Sequence, residues 1–387
     1  MRIISDPARF EALRSDWDTL AAAAPQCYLS QTFDWCSCGW ETVARSRQRK
    51  LACLVGYSGG KLVLVWPFVI GRFGPWRIAQ PLGSETTEYT APLADPGGDR
   101  EDQLVAAGWD YLKARIQADV VLLPQLRTDS TLAHVLERDS HQAASARSAA
   151  YPAPFVAWDK PGDWKAYYQT LSRKLRSDSG RQRRRLAEQG KFAIETISDQ
   201  DEAAVILAWM IQQKLDWVRR MSENNDWLDK PEYKAFLTGM LCRPTGAGHV
   251  EIHTLKVEGK LIAAQLSTID RSRVEAFIAA YDPAWSQYSP SRLLLEDRLE
   301  KACEAGLQYD FRVGDEAYKD QWSNRFAELV NAYRALTLWG RIYVMGVRAE
   351  ILVRRMRTKM NLQSRLARHI PREKLRRLKR ALGLRSG

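Results

Sequence analysis

The stretch YDFRVGDEAYKDQW, Tyr309 to Trp322, sets Asp310, Arg312, Asp315, Glu316, Tyr318 and Lys319 within fourteen residues. Carboxylates beside cations and a phenol are the residue types of proton transfer and anion binding. Asp315 follows Gly314, whose conformational freedom lets the backbone turn and aim a carboxylate, and capping that turn is the alternative use of the same residue. Glu316 reads as solvated. Lys319 offers a point charge and Arg312 a bidentate fork for a phosphate or carboxylate, with an ion pair to Asp310 or Asp315 as the structural alternative for Arg312. Tyr318 either donates its hydroxyl to an oxyanion or packs.

A second stretch, VEAFIAAYDPAWSQYSPSRLLLEDRLEKACEAGL, reads as strand, small-residue turn and helix, with Ser289 as N-cap, Pro290 at the first helical position and Gly306 as the stop. The free N–H groups and positive dipole end of such a helix form a seat for a phosphate, here at Gln287, Tyr288, Ser289, Ser291 and Arg292. Any strand-to-helix junction of an α/β protein looks similar. Tyr281 ends the strand, where it contacts substrate or packs. A basic block from Arg173 to Lys191 holds eight Lys and Arg against Asp178 and Glu188. Its start, with Arg173, Lys174 and Arg176, can face an anionic substrate, and a solvated helix face is the plainer use. His249 and His253 point to one side of a strand, but with no third ligand nearby no metal is expected.

These residues need elements to hold them. A chain of 387 residues with 45% hydrophobic and 10% aromatic content suits two domains and a tail. The six cysteines form no CxxC pair and are expected as buried, reduced thiols. The longest apolar run, LVLVWPFVI from Leu62, is far below the ~20 residues that cross a bilayer, and charges precede any apolar run at the N-terminus, so a cytoplasmic protein is expected. The net charge of +12 is unevenly placed: residues 341–387 carry 15 Lys and Arg against two Glu, and the remainder is near neutral. Nucleic acid is therefore not an expected partner of the body.

The first half reads as an aromatic helix pair, a hairpin (KLACLVGYS, GG, KLVLVWPFVI), the polar loop PLGSETTEYTAPL, a helix and the strand ADVVLLPQL. After the low-complexity stretch HQAASARSAAYPAPF the second half repeats the order of helix, hairpin, strand, helix and strand. The expected fold class is α/β (α+β), with domains at 1–150 and 151–335 and a basic helical tail at 336–387. In the tail, Trp339, Ile342, Tyr343, Val347, Ile351 and Met356 form a stripe expected to dock on the body, and REKLRRLKRALG reads as a short basic amphipathic helix that stays solvated, lies on an anionic membrane surface or contacts RNA.

The blocks LSRKLRSDSGRQRRRLAEQG, YDPAWSQYSPSRLLLEDRLEKA and YDFRVGDEAYKDQW resemble the CelD/BcsL-like acyltransferase family of cellulose and exopolysaccharide biosynthesis, within the GNAT superfamily. SQTFDW and PLGSETTEYTAPL extend the resemblance into the first half, and a more distant one is to FemAB-type aminoacyl transferases, which carry two GNAT-like domains and a Lys placed as Lys319 is. The resemblance implies two tandem GNAT-like domains with mixed central sheets flanked by helices, the first degenerate. It also implies transfer of an acetyl or other acyl group from acyl-coenzyme A to an amine or hydroxyl acceptor, a small molecule, glycan or peptide of envelope metabolism. Asp315, Tyr318 and Lys319 are then the catalytic candidates, Gln287 to Arg292 the coenzyme A contacts, and Arg173, Lys174, Arg176, Tyr281, Asp310 and Arg312 the acceptor contacts. The chain departs from the superfamily's pyrophosphate loop in placing Ser286, Ser289 and Ser291 at the fixed positions and Pro290 between the last two. Transfer from an aminoacyl-tRNA, and a non-catalytic envelope scaffold, are the competing readings.

Overall fold

The computed structural model describes residues 1–369 apart from 88, 97–98, 140–144, 222–226, 242 and 244. The strands are β1 (Arg2–Ile4), β2 (Lys50–Ser58), β3 (Lys61–Phe73), β4 (Trp76–Pro81), β5 (Leu93–Ala94), β6 (Val120–Arg127), β7 (Ser145–Ala149) and β8 (Ala153–Val156). They continue as β9 (Phe192–Ile197), β10 (Gly248–Val257), β11 (Lys260–Asp270), β12 (Arg273–Tyr281), β13 (Gln308–Asp310), β14 (Arg325–Ala327) and β15 (Leu329–Ala335). The helices of the first half are α1 (Pro7–Glu11), α2 (Arg14–Ala23), α3 (Phe33–Gly39), α4 (Asp99–Arg115) and α5 (Thr131–Asp139). Those of the second are α6 (Trp164–Thr170), α7 (Arg173–Ala187), α8 (Gln200–Met221), α9 (Pro231–Leu241), α10 (Pro290–Glu304), α11 (Ala317–Trp322) and α12 (Leu338–His369).

Two mixed sheets are flanked by these helices, as expected. The first runs β1-β2-β3-β4-β6-β15-β7, with β5 paired to β3, and the second runs β14-β8-β13-β12-β11-β10-β9. Both long hairpins turn through two residues of positive φ, Gly59 and Gly60 in one and Glu258 and Gly259 in the other. This geometry matches the right-handed twist of the flanking strands. The cysteines among the described residues are free and buried, and Cys242 lies outside those residues.

The sheets do not divide the chain at residue 335. Leu329–Ala335 was expected in the second domain, yet β15 pairs with β6 and β7 and so fills the interior of the first sheet. Strand periodicity says which face is buried, not which neighbour is chosen, so the partner was invisible in the sequence. The second sheet is thus an insertion between β7 and β15. After β15, α12 docks on the first sheet through Tyr343, Val344, Val347 and Ile351, which pack with Val120 and Ala146. Trp339, Ile342 and Met356 of the expected stripe are exposed instead, because the docked side of the helix is narrower than the stripe. The segment REKLRRLKRALG lies outside the described residues.

In each sheet two neighbouring strands run parallel. In the first, β4 and β6 pair only at Ile78↔Val120 and Ala79↔Val121 before they part. The chain's own loop crosses that gap: Leu82 and Leu93 join the core, and Thr90 N–H donates to Gln125 O at 3.4 Å. A cavity of about 690 Å³ lies beside this loop, lined by Tyr28, Tyr89, Arg127, Asp129 and Arg273. In the second sheet the corresponding gap is open.

Candidate active site

β12 and β13 pair at Arg273↔Gln308, Val274↔Tyr309 and Glu275↔Asp310, and then separate. Two features open the gap. On β12, Leu266 of β11 faces Ile278 while Ser267 faces Ala276, so Phe277 is an extra residue in the ladder. Such a bulge bends its strand and leaves backbone groups unpaired. After β13, Arg312 takes a φ of 62° and turns the chain aside. Between the strands lies a cavity of about 700 Å³, within the usual range for a ligand site. Gln265, Phe277 and Tyr309 form its floor, Trp217 and Trp227 one wall, and Arg312, Tyr318 and Lys319 another.

The start of α10 closes one end, with Ser289, Ser291 and Arg292 on the lining. Ser289 is the N-cap residue, as expected, but its φ of 50° is left-handed and its hydroxyl makes no capping bond. The carbonyl of Ser289 receives the N–H groups of Arg292 and Leu293 at 3.0 and 3.4 Å, which leaves the hydroxyl and the helix dipole to face an anion. Gln287 and Tyr288 lie outside the lining, where Arg185 reaches them: its guanidinium is 3.4 Å from Gln287 O and sits over the Tyr288 ring. Arg185 is thus the member of the basic block that meets this turn. Arg173 and Lys174 are exposed on the first turn of α7, and neither they nor Arg176 line the cavity. The block spans four helical turns, and only the face that packs on α10 could reach the site, a distinction that charge counting does not make.

On the loop side, Lys319 is buried, and its ammonium lies 3.0 Å from Val313 O, 3.4 Å from Arg312 O and 2.8 Å from the Glu316 carboxylate. Glu316 is exposed, as expected, and is also the carboxylate on the cavity lining among the described residues. Asp315 is exposed and does not line the cavity. The turn at Gly314 therefore aims the second acid inward rather than the first. A Cβ on Gly314 would collide with Glu316 and Lys319, so glycine is what lets the pair form. Tyr281 lines the cavity, as does Tyr318, whose ring meets Phe311 edge-on.

Asp310 does not reach the acceptor side. It is buried, with one oxygen accepting from Tyr89 O–H at 2.6 Å and the other from Arg312 N–H at 2.7 Å. Glu275, beside it across the strand pair, is pushed up to about 8 by burial and then by the Asp310 charge. Arg312 stacks on the Phe277 ring at 3.8 Å and donates to Phe277 O at 3.5 Å, which ties the buried acids to the bulge. Sequence reasoning missed Tyr89 and Glu275. A lone acid inside the apolar strand RVEAFIAAY was the available signal. Behind the bulge the two halves interlock, since Trp35 of α3 packs edge-on against Phe236 and Phe277.

His249 and His253 do share a side of β10, with Glu251 between them. Burial works against the Glu251 charge, yet bonds from both histidines and the Arg298 guanidinium, 2.7 Å away, hold its carboxyl well below the usual range. Among the described residues no group of three could hold a metal ion.

The family model of the acetyltransferase (GNAT) domain matches residues 173–320, from the start of α7 into α11. No curated protein matches significantly. Among solved structures, FemX is similar at 11% identity with a TM-score of 0.56, covering 86% of this chain and 97% of its own. The C-terminal domain of a protein assigned as a lysylphosphatidylglycerol synthetase from Agrobacterium fabrum is similar at 12% identity and a TM-score of 0.52, covering 87% and 95%. A conserved protein of unknown function from Bacteroides thetaiotaomicron gives 10%, 0.51, 86% and 99%. Each likeness spans both sheets. The open gap between β12 and β13 thus lies within residues 173–320, the stretch that the GNAT acetyltransferase domain model matches, in a two-sheet fold shared with these solved structures.

Proposed function

We propose that the protein transfers an acyl group from a coenzyme A thioester to an amine or hydroxyl acceptor, and that only the second domain does so. The observation that carries the reading is the gap between β12 and β13, open beside a helix start in the second domain, whereas the chain's own loop crosses the corresponding gap in the first. The residues present fit the co-substrate's phosphates: the α10 dipole, the uncapped Ser289 hydroxyl, Ser291 and Arg292 line the cavity, and Arg185 braces the turn before them from outside. Pro290 has no N–H to offer, so side chains carry more of this contact than in a glycine-rich loop. When bound there, the thioester supplies an activated acyl carbon.

The chain's own groups do the rest. Aromatic walls at Trp217, Trp227 and Phe277 exclude water, and the bulge at Phe277 frees backbone polar groups to face a carbonyl oxygen. Glu316, held by the Lys319 ammonium, takes the acceptor's proton as the acceptor nitrogen or oxygen bonds to the acyl carbon, and the Tyr318 hydroxyl gives a proton to the thiolate that leaves as the carbon–sulfur bond breaks. Arg312 holds the bulge from behind and orients a polar acceptor. An exopolysaccharide or envelope acceptor, handled at the cytoplasmic face, is the context the family resemblance supplies.

A second reading, aminoacyl transfer from tRNA, draws on the FemX-like fold and on Arg181, Arg183, Arg184 and Arg185 along α7. Following thiol release from an acyl-coenzyme A panel across amine, sugar and peptide acceptors tests the choice. Turnover that drops at least about a hundredfold in Glu316→Gln supports general-base transfer. No binding or turnover of any acyl-coenzyme A ends the first reading, and dependence on charged tRNA installs the second. Neither donor being used leaves a non-catalytic scaffold.

A further inference from the structure

One face of α12 is docked, and the opposite face is apolar as well. Leu338 and Trp339 on its first turn are 76% and 47% exposed. Ile342 and Met345 follow at 51% and 65%, and Leu352, Val353 and Met356 at 54%, 45% and 52%. At 100° per residue these side chains, with Gly346 and Ala349 between them, occupy one continuous arc of roughly 140° along five turns of helix. Arg341, Arg348 and Arg355 run down one border of the arc, and Arg357 and Arg354 lie toward the other, where Arg354 pairs with Glu350. The arc is extended sideways by the β3–β4 hairpin, where Phe73 is 63% exposed at the tip between Arg72 and Arg77. Trp76 stacks on Trp339 with ring centroids 5.8 Å apart, and Tyr343 meets both Trp76 and Phe73 edge-on.

We infer that this face, α12 with the tip of the β3–β4 hairpin, is a docking surface for an anionic lipid bilayer, on which α12 lies in the plane of the interface. The inference goes beyond acyl transfer and stands whether or not that reading holds. Three observations select the occupant. Among the described residues no helix is long and apolar enough to cross a membrane, so a helix with this arc lies on a bilayer rather than through it. Basic side chains border the arc on both sides, and residues 341–387 carry 15 Lys and Arg against two Glu. A second copy laid on the same face would bring arginine rows against arginine rows, whereas an anionic surface meets both borders with opposite charge. The cluster of Trp76, Trp339 and Tyr343 at one end supplies the amphipathic aromatic rings that favour the headgroup level.

The test uses the full chain and sedimentation with vesicles of phosphatidylcholine alone or mixed with phosphatidylglycerol, at low and high salt. The expected result is binding to the mixed vesicles only, weakened by salt. The double variant Ile342→Glu, Val353→Glu should lose at least about tenfold in partitioning, with an unchanged melting temperature because both side chains are exposed. Arg341→Glu with Arg355→Glu should lose binding similarly, whereas Leu375→Glu with Leu378→Glu, in the segment beyond α12, should lose less. Wild-type binding by the Ile342, Val353 variant overturns the inference. So does a greater loss in the Leu375, Leu378 variant, or a wild-type dimer that ignores vesicles and becomes monomeric in the Ile342, Val353 variant.

Discussion

At the scale of single residues, the loop after β13 is organised by one buried ammonium. Lys319 has three donors and three acceptors, two of them carbonyls of its own loop. Lys319→Ala should abolish most turnover and also lower stability by about 1–3 kcal/mol, since the buried carbonyls lose their partner. Asp315→Asn should leave both unchanged; a large loss of kcat in that variant would return the proton-transfer role to Asp315. The buried acids behind the loop give a pH signature. Glu275 holds its proton in the folded chain to about pH 8, whereas its ordinary value is 4.5, so between these limits the unfolded chain carries the fewer protons. Stability should therefore fall as pH rises through that window and level off above it. Glu275→Gln should flatten the slope in urea midpoints measured from pH 5 to 9, and equal slopes in both proteins would show that Glu275 titrates normally. That Lys319 and Tyr318 belong to a site could be read from their company in the sequence. The acid on the lining and the Glu275–Asp310 pair could not, because they depend on a turn and on a parallel pairing between residues 35 apart.

At the scale of elements, the helices were legible because their apolar spacing is local. The helix start at Pro290, its stop at Gly306 and both hairpin turns carry their own chemistry. Strand partners were not legible, and neither was the bulge at Phe277, which is defined only against β11. The docking of α12 shows how close the margins are. A Cβ at Gly340 would collide with the Asp119 carbonyl, so glycine lets the first turn of α12 settle on the start of β6. Gly340→Ala should lift that turn and cost about 1–3 kcal/mol. A lowered urea midpoint with earlier tryptic cleavage inside Leu338–His369 is the expected observation; unchanged protection would mean that the contact gives way freely.

At the scale of the whole molecule, the first half is not a free-standing unit. Residues 1–150 lack β15, so β6 and β7 would present unpaired edges, the arrangement that drives aggregation. That fragment should be insoluble alone and recovered with residues 151–387 co-expressed, whereas soluble, melting-competent 1–150 would show that β15 is dispensable. The halves also share a core, in which Trp35 backs the bulge, and Tyr89 donates a hydrogen bond to a buried acid of the other sheet. Tyr89→Phe should therefore reduce kcat from a residue that lies outside the cavity between β12 and β13.

The return of β15 has a consequence for the order in which the protein is made. β6 ends at Arg127 and its neighbour in the sheet begins at Leu329, so about 200 residues must leave the ribosome before the first sheet can close. The inserted domain holds all its strands by Ala327 and can close first. The polypeptide made first is then the last to be completed, and a nascent chain paused before residue 329 would carry a finished acetyltransferase domain beside an open, chaperone-dependent sheet.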